Sequence, residues 1–313
     1  MNRIPVVAVV GPTASGKTRL GAELAVKYNG EVISADSMQI YKYMDIATAK
    51  PTEDEMMGVA HHMMSFLPPS ENYSVAQYVA DAKRCIFDIF SRGKLPIVVG
   101  GTGLYVKSLL EDISFAEEDA DYDLRDRLRE RAERYGAEVL INELAEFDPE
   151  SAQRMHPNNL KRIIRAIEVY RTTGITMTEH NRLSKTEQSP YQTVKIGLKS
   201  NDRRFLYDRI DRRVDLMLEQ GLMEEAKRVL ACQCSMTAQK AIGYKELIPY
   251  FNGEQTLEQC IETLKRDSRR YAKRQLTWFM RDEEIYWIDI DTVKDFEEVF
   301  RISVSQIDDK LCK

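Results

Sequence analysis

The chain has 313 residues, which is enough for two domains, or for one domain with a large insertion, around a sizeable core. Its 45 basic and 50 acidic residues give a formal net charge of −5, which does not indicate a nucleic-acid binder. No apolar stretch approaches the roughly 20 residues of a membrane-spanning helix, and the first predicted strand begins too early for a signal peptide. The five cysteines are scattered, which fits reduced thiols, so we expect a cytoplasmic protein without membrane contact.

The first motif is a phosphate-binding loop, GPTASGKT, which matches the pattern GxxxxGK[ST] at every required position. The β-branched run from Ile4 to Val10 predicts a strand before it, and Arg19 to Tyr28 has helical spacing after it. In such a loop the backbone N–H groups face the phosphates, Lys17 supplies charge and Thr18 a hydroxyl for Mg²⁺. The predicted phosphate-binding residues are Gly11, Pro12, Thr13, Ala14, Ser15, Gly16, Lys17 and Thr18, with Thr18 as the metal ligand.

A second strand, Glu31 to Ser34, is predicted after this helix, which we expect to end at Gly30. The strand leads into Asp36. Ligands of doubly wound sheets bind outside the carboxyl ends of the parallel strands, so Asp36 should lie near the phosphates. It is either a general base or a turn cap, since Asp-Ser is common in both places.

Residues 42–74 contain several prolines and are predicted to form an irregular functional flap. Ser74 then caps a predicted helix over Val75 to Ser91.

A third apolar strand, Leu95 to Val99, runs directly into Gly100–Gly103. Glycines at a strand end would let a ligand approach the backbone closely, and Thr102 offers a hydroxyl to a phosphate or to a carboxylate. The strand lacks the Walker-B aspartate that an NTP hydrolase uses to hold Mg²⁺. Nucleotide hydrolysis is therefore disfavoured.

Residues 115–190 are strongly charged and helical in pattern, and they interrupt the alternation of strands and helices. We predict an α/β core formed by residues 1–114 and 191–313, with 115–190 as an inserted helical subdomain. One helix should begin at Asp148-Pro149, and another should run from Asn159 to Thr173 and end at Gly174. The exposed basic residues of the insertion are either solvated or contacts to a large anionic partner.

The chain returns to the sheet with a predicted strand at Thr193 to Leu198. Asn201 or Asp202 then caps a helix that carries three arginines, any of which could contact phosphate: Arg209, Arg212 and Arg213.

A long amphipathic helix is predicted from about Leu257 to Arg281. Its segment KRDSRRYAKR has six basic residues in ten, followed by Trp278 and Phe279. This pattern is typical of a surface for a phosphodiester backbone, and equally of a solvated helix face. A last strand, Glu284 to Ile290, and a final helix without chemistry complete the prediction.

Several stretches resemble one family in series: GPTASGKT, SADSMQIY with MDIATAK, VGGTGLYV, HPNN with KRIIRAIEVY, KAIGYKE and RRYAKRQLTWF. Together they span roughly residues 4–290 and resemble the bacterial tRNA dimethylallyltransferases. The resemblance implies a P-loop NTPase-like parallel sheet with an inserted all-helical subdomain that contacts tRNA. It implies Mg²⁺-dependent transfer of a dimethylallyl group from dimethylallyl diphosphate to N6 of adenosine 37, next to the tRNA anticodon. Nothing in the sequence requires more than a monomer.

The resemblance also assigns roles to residues. Asp36 would accept the N6 proton with Thr102 beside it, Lys17 would neutralise diphosphate, and Arg213 would contact the departing diphosphate unless Arg209 or Arg212 takes that place. The residues that it implies for tRNA contact are Asp36, Ser37, Met38, Gln39, Thr102, Arg125, Lys161, Arg162, Ile163, Ile164, Arg165, Lys240, Ala241, Ile242, Gly243, Tyr244 and Lys245.

The chemistry fits the residues independently. The exocyclic amine of adenine is a poor nucleophile, so its alkylation needs a good leaving group, neutralisation of that group and removal of a proton. A departing diphosphate also accounts for the missing Walker-B aspartate, because no γ-phosphoryl group is transferred. An ATP-binding label, which the loop alone suggests, would then mislead.

Three other functions remain open from the sequence. A small-molecule kinase would share the phosphate loop, and an adenylate isopentenyltransferase would share the chemistry but act on free AMP or ATP. The basic, aromatic helix and the insertion argue against a free nucleotide, which needs neither. A non-catalytic RNA-binding module would leave the intact loop unexplained.

Overall fold

The computed structural model describes residues 3–113, 121–184, 188–232 and 234–311. The described strands are β1 (Ile4–Val10), β2 (Gly30–Ser34), β3 (His61–His62), β4 (Leu95–Gly100), β5 (Tyr191–Lys199) and β6 (Tyr286–Asp289). The described helices are α1 (Lys17–Lys27), α2 (Glu53–Met56), α3 (Val75–Ser91), α4 (Gly103–Leu110), α5 (Tyr122–Tyr135), α6 (Glu138–Phe147), α7 (Pro149–Arg154), α8 (Leu160–Thr173), α9 (Met177–Leu183), α10 (Arg203–Glu219), α11 (Leu222–Ala231), α12 (Met236–Gln239), α13 (Ile248–Phe251), α14 (Leu257–Phe279) and α15 (Phe296–Leu311).

The six strands form one parallel sheet in the order β3-β2-β4-β1-β5-β6. Its central strand β1 is buried over most of its length, as expected for a strand covered by helices on both faces. The α/β P-loop-type core predicted from the sequence is confirmed. Because β1, β2 and β4 are neighbours and parallel, the segments that follow them emerge at one edge of the sheet.

Two helices cover one face of this sheet around a shared apolar core. Leu20 and Leu24 of α1 and Val299 and Ile307 of α15 are buried against the valines and isoleucines of the sheet. The final helix, for which no role was predicted, is thus part of the core.

Several predicted boundaries are wrong. Helix α1 ends at Lys27, and the turn is made by Asn29 with a φ of 49°, a conformation that asparagine tolerates. Gly30, expected to end the helix, is the first residue of β2 and pairs with Leu95. Strand β6 and helix α14 are also shorter than predicted.

The predicted irregular flap at 42–74 contains two short elements. Helix α2 begins with a capping box between Thr52 and Glu55, and β3 adds an edge strand to the sheet. A strand of two residues is too short to show periodicity, so no sequence pattern could indicate it.

A buried carboxylate ties this edge strand to the end of α3. Glu31 in β2 accepts hydrogen bonds from Arg92 and Lys94 and lies 2.7 Å from the His62 ring nitrogen. The Arg92 bonds hold the pKa of Glu31 well below its usual value, against burial, and Lys94 and His62 contribute in the same direction.

The chain divides into two compact units. Residues up to Leu110 and from Ser189 onward form the unit that contains the sheet, and Glu111–Gln188 form a second unit. The boundary predicted at 114/115 lies outside the described residues.

The described part of the second unit is helical. It packs around leucines and isoleucines of α5, α6 and α8 that include Leu128, Leu144 and Ile167. Asp148 caps α7 with Pro149 at its start, and Gly174, with a φ of 72°, ends α8, as predicted.

Candidate active site

Two glycines shape the loop that joins β1 to α1. Gly11 has a φ of 147° and Gly16 a φ of 96°. A Cβ at Gly11 would lie 2.5 Å from the Leu198 carbonyl oxygen, and one at Gly16 would lie 2.8 Å from the Phe296 ring. Both positions therefore exclude larger residues, and the loop follows the path that a phosphate-binding motif requires.

The N-terminus of α1 is free to bind an anion. Within the described residues, the N–H groups of Lys17 and Thr18 donate to no protein oxygen, and no side chain caps the helix. The Ser15 hydroxyl is buried and has no hydrogen-bond partner among the described residues either. Because the helix dipole adds positive potential here, this end of α1 can bind phosphate groups.

Lys17 lies within the same loop, and its Nζ donates to the Pro12 carbonyl oxygen at 3.2 Å. Burial and the nearby Arg213 cation lower the pKa of Lys17 from 10.5 to about 8, and the Asp36 carboxylate acts in the opposite direction. A buried ammonium with too little negative charge around it is strongly stabilised by an anionic ligand. Lys17 is therefore suited to neutralise a diphosphate.

The structure brings Asp36 and Thr102 to the same edge of the sheet. The Asp36 carboxylate accepts the Met38 N–H at 2.9 Å, and Thr102 Oγ1 accepts the Ser37 N–H at 3.0 Å. The Thr102 N–H donates in turn to the Ala35 carbonyl at 3.1 Å. Asp36 thus caps its own turn and remains close enough to the phosphate loop to influence Lys17. Its role as a turn cap is therefore compatible with a role as general base.

Two of the three candidate arginines on α10 contact the loop. Arg213 donates to the Thr13 hydroxyl at 2.6 Å and Arg209 to the Ala14 carbonyl at 2.8 Å. Arg212 instead donates to a carbonyl of its own helix and is exposed. Burial lowers the pKa of Arg213, and the carboxylates of Asp36 and Glu55 oppose this. Arg213 therefore shares the electrostatic environment of Lys17 and Asp36.

Gln275, which the sequence analysis did not identify, joins the phosphate loop to the turn at Gly100–Gly103. The buried Gln275 of α14 accepts the Thr13 N–H at 2.9 Å and donates to the Gly101 carbonyl at 3.0 Å. A glutamine directly after a basic run gives no sign of these bonds, because its partners are distant in sequence. The neighbouring Tyr271 has its pKa raised by burial and by the Asp36 charge, while hydrogen bonding with Thr102 and Gln275 opposes the rise.

The glycines at Gly100–Gly103 were predicted to let a ligand approach the backbone, but in the structure Gly101 and Gly103 make room for α14. A Cβ at Gly101 would lie 2.0 Å from the Gln275 amide, and one at Gly103 would lie 2.0 Å from the Trp278 ring. The space beside both glycines is filled by α14, so they allow a helix rather than a ligand to approach.

The candidate residues after Asp36 are all half-buried but differ in their partners. Gln39 accepts from the Ser34 hydroxyl at 2.9 Å and donates to the carbonyls of Thr48 and Ala49. Its amide thus holds the following loop. Ser37 and Met38 are half-buried and lie directly beside the carboxylate.

The candidate stretch from Lys240 to Lys245 is a tightly packed turn. Ala241, Gly243 and Tyr244 are buried, Ile242 is half-buried, and the two lysines are exposed. Lys245 also lies 3.3 Å from the Glu246 carboxylate.

A buried carboxylate holds this turn against the loop that carries Gln39. Glu225 of α11 accepts the N–H groups of Asp45, Ile46 and Ala47 at 2.8–2.9 Å, and the Tyr244 hydroxyl at 2.8 Å. The two stretches MDIATAK and KAIGYKE are therefore joined through one side chain.

In the second unit, Arg125 and Arg165 both donate to the buried Glu168 at 2.8 Å. Burial acts to raise the pKa of Glu168, but these bonds outweigh it and keep the pKa below its usual value. Ile163 and Ile164 belong to the core. The exposed members of this candidate group are Lys161 and Arg162.

Most basic side chains of α14 are paired. Arg269 and Lys265 bond to Asp211 and Asp215 of α10 at 2.6 Å, while Arg266 and Arg270 lie near Asp267. Lys273 has no carboxylate partner among the described residues, and Arg274 lies over the Tyr271 ring. Two cations of the basic face thus join α14 to α10, and two others pair within α14 itself.

Membrane-spanning and metal-binding features are absent from the described ranges. No helix there is long and apolar enough to cross a membrane. No three His, Cys, Asp or Glu side chains of those ranges converge as a metal site.

Two family models and two curated proteins that this chain matches are isopentenyl or dimethylallyl transferases. Residues 39–282 match the family model described as IPP transferase, and residues 4–68 match one described as isopentenyl transferase. The tRNA dimethylallyltransferase of Bacillus subtilis strain 168 is 50% identical over 298 residues, covering 94% of this chain and 93% of the relative. That of Caldanaerobacter subterraneus subsp. tengcongensis is 47% identical, covering 95% of each chain.

Two solved structures of such transferases are also similar to this chain. The full-length tRNA isopentenylpyrophosphate transferase from Bacillus halodurans has a TM-score of 0.71 at 44% identity, with 98% of each chain covered. A eukaryotic dimethylallyltransferase, described as acting on tRNA, has a TM-score of 0.81 at 32% identity, covering 98% of this chain and 80% of the other.

Proposed function

This chain belongs to the IPP transferase family, and from that premise we propose that it transfers a dimethylallyl group from dimethylallyl diphosphate to N6 of adenosine 37 in tRNA. The observation that carries the proposal is the position of Asp36. It lies at the same edge of the sheet as the phosphate loop, beside Ser37, which bonds to Thr102, and Gln275 bonds the turn before Thr102 to Thr13 of the loop. Its carboxylate also acts electrostatically on Lys17 and Arg213. A proton acceptor and an anion-binding loop are therefore close enough to act on one reaction.

In the proposed reaction the allylic C–O bond to the diphosphate breaks and a C–N bond to the adenine N6 forms. The N6 proton passes to the Asp36 carboxylate. Lys17, the N–H groups of α1 and Arg213 bind the negative charge that develops on the leaving diphosphate, which lowers the barrier to its departure. Thr102 holds the turn at Ser37 and so orients the carboxylate.

Mg²⁺ is part of the proposal. A site with few carboxylates suits this ion, which commonly takes one or two protein oxygens together with substrate phosphates and water. The Thr18 hydroxyl would hold it, and the buried, unpartnered Ser15 hydroxyl is a second oxygen in the same loop. When bound, the ion supplies further positive charge to the leaving diphosphate.

The anticodon stem-loop of tRNA is the proposed acceptor. Exposed cations of the candidate tRNA group, Lys161, Arg162, Lys240 and Lys245, would contact its phosphates. Buried members such as Tyr244 and Ile163 would support these contacts by holding the elements that carry them. We place the reaction in the cytoplasm and assign it to a single chain.

The deciding experiment is mass analysis of an anticodon stem-loop after incubation with the full chain, Mg²⁺ and dimethylallyl diphosphate. We expect one dimethylallyl group to replace one hydrogen at adenosine 37, and a stem-loop with guanosine there to stay unmodified. Salt-insensitive modification of AMP would favour an adenylate isopentenyltransferase. Phosphorylation of a metabolite from ATP, with no diphosphate released from the allylic donor, would establish a kinase.

A further inference from the structure

Gln275 bridges the two turns that flank the proposed reaction. Its amide oxygen accepts from Thr13 in the phosphate loop, and its amide nitrogen donates to Gly101, the residue before Thr102. The side chain is 5% exposed, so water does not compete for either bond. One rigid planar group therefore fixes the spacing of the loop and the turn.

The neighbouring positions of α14 support this bridge. Tyr271 and Trp278 lie four residues before and three residues after Gln275, on the same helical face. Tyr271 interacts with Thr102, and Trp278 fills the space beside Gly103. Three consecutive turns of the helix thus contact the segment from Gly101 to Gly103.

Helix α14 also reaches the phosphate loop by a second route. Arg269 forms a two-oxygen ion pair with Asp211 of α10 at 2.6 and 2.7 Å. The same α10 carries Arg213 and Arg209 to the loop. The loop, the second turn and the arginine-bearing helix are therefore all held by α14.

We propose that Gln275 is a positioning residue that holds the diphosphate loop at the correct distance from the turn carrying Thr102. This inference rests on the proposed function in one respect, because the diphosphate must leave from a donor that faces the base beside Thr102. The Thr13 N–H and the Gly101 carbonyl need an acceptor and a donor at a fixed separation, and the planar amide of Gln275 supplies both.

The test compares Gln275→Met with the wild-type chain. Methionine keeps the length and bulk of the side chain and loses both hydrogen bonds. We expect kcat for stem-loop modification to fall by about 30- to 100-fold, since small misplacements of reacting groups have effects of this order. The Kd of inorganic diphosphate should rise by about 5-fold, and the Kd of the stem-loop without donor should stay within about 2-fold.

Thr277→Ala is the matched control, because Thr277 lies on the exposed face of α14 and, among the residues that the structure describes, its hydroxyl bonds only to a carbonyl of its own helix. It should leave all three measurements unchanged. Gln275→Asn provides a second variant, since its shorter amide cannot span both partners, and it should resemble Gln275→Met. Circular dichroism melting would establish that each variant is folded at the assay temperature.

The positioning role is overturned if folded Gln275→Met and Gln275→Asn keep kcat and diphosphate affinity within about 2-fold of wild type. It is also overturned if stem-loop affinity falls in parallel, since that indicates general loss of structure. Failure of the proposed function is a different outcome, in which the wild-type chain itself transfers no dimethylallyl group. In that case the Kd values of inorganic diphosphate for the wild-type chain and the Gln275 variants still test the positioning role.

Discussion

At the scale of single residues, Lys17 should limit the pH range in which the proposed donor binds. Burial and Arg213 lower its pKa to about 8, so the side chain loses its charge as the pH rises through that value. In the proposed function the charged form binds diphosphate, so the affinity for dimethylallyl diphosphate should fall above about pH 8, approaching tenfold per pH unit. The measurement is the Kd of the donor across the pH range on both sides of that value.

Lys17→Arg is the control for this pH dependence, because a guanidinium stays charged throughout the range. Its donor affinity should be weaker but flat with pH. A flat profile in the wild-type chain on the alkaline side would contradict the assignment of Lys17 to the diphosphate.

Asp36 is expected to act in the chemical step. Asp36→Asn keeps an oxygen that can accept the Met38 N–H, so the turn should survive, but the amide cannot take a proton. We predict that kcat falls by about 10²- to 10⁴-fold, the usual contribution of a general base, while the Kd of the stem-loop changes little. Single-turnover kinetics with saturating tRNA would measure this. A loss of tRNA affinity that matched the loss of rate would instead make Asp36 a binding residue.

At the scale of elements, Glu225 joins α11 to two loops. Glu225→Gln replaces one accepting oxygen with a donor, so part-buried N–H groups of residues 45–47 or the buried Tyr244 hydroxyl lose their acceptor. We expect a destabilisation of about 3 kcal/mol, since each unsatisfied buried group costs about 1–3 kcal/mol. Urea unfolding would measure it. Glu224→Gln, an exposed neighbour on the same helix, should change stability by less than about 0.5 kcal/mol; equal effects of the two would refute the role of Glu225.

Elements with local signals could be predicted from the sequence. Strand β1 and helix α3 have the predicted bounds, because a β-branched run and a Ser74–Gln77 capping box are contained within a few residues. The phosphate loop was recognisable for the same reason. The end of α8 at Gly174 likewise depends on one residue with a left-handed φ.

Contacts between distant parts of the chain could not be predicted. Gln275 is separated by 262 residues from Thr13 and by 174 from Gly101, and Glu225 is 178 residues from Ala47. No local pattern specifies such partners. The same limit explains why the basic run of α14 suggested a nucleic-acid surface, although Asp211 and Asp215 neutralise part of it.

At the scale of the whole molecule, the net charge of −5 gives tRNA no general attraction, so we expect the proposed binding to depend on a few exposed cations without a carboxylate neighbour. Lys161 and Arg162 of the second unit are exposed, whereas Arg131 and Arg171, in the same unit, both bond to Glu143 at 2.5 Å. Two variants that each remove two positive charges can therefore be compared: K161A/R162A and R131A/R171A.

Removing one cation that binds a phosphate should reduce the slope of log K against log salt by about 0.7–0.9, so K161A/R162A should lower it by about 1.5. R131A/R171A should lower the slope by less, because both guanidinium groups are already bonded to the Glu143 carboxylate. The measurement is the Kd of the stem-loop at several salt concentrations, with kcat at saturating RNA kept near the wild-type value in both variants. Equal slope changes would show that tRNA responds to the total charge of the protein, and the assignment of Lys161 and Arg162 to phosphate binding would then be wrong.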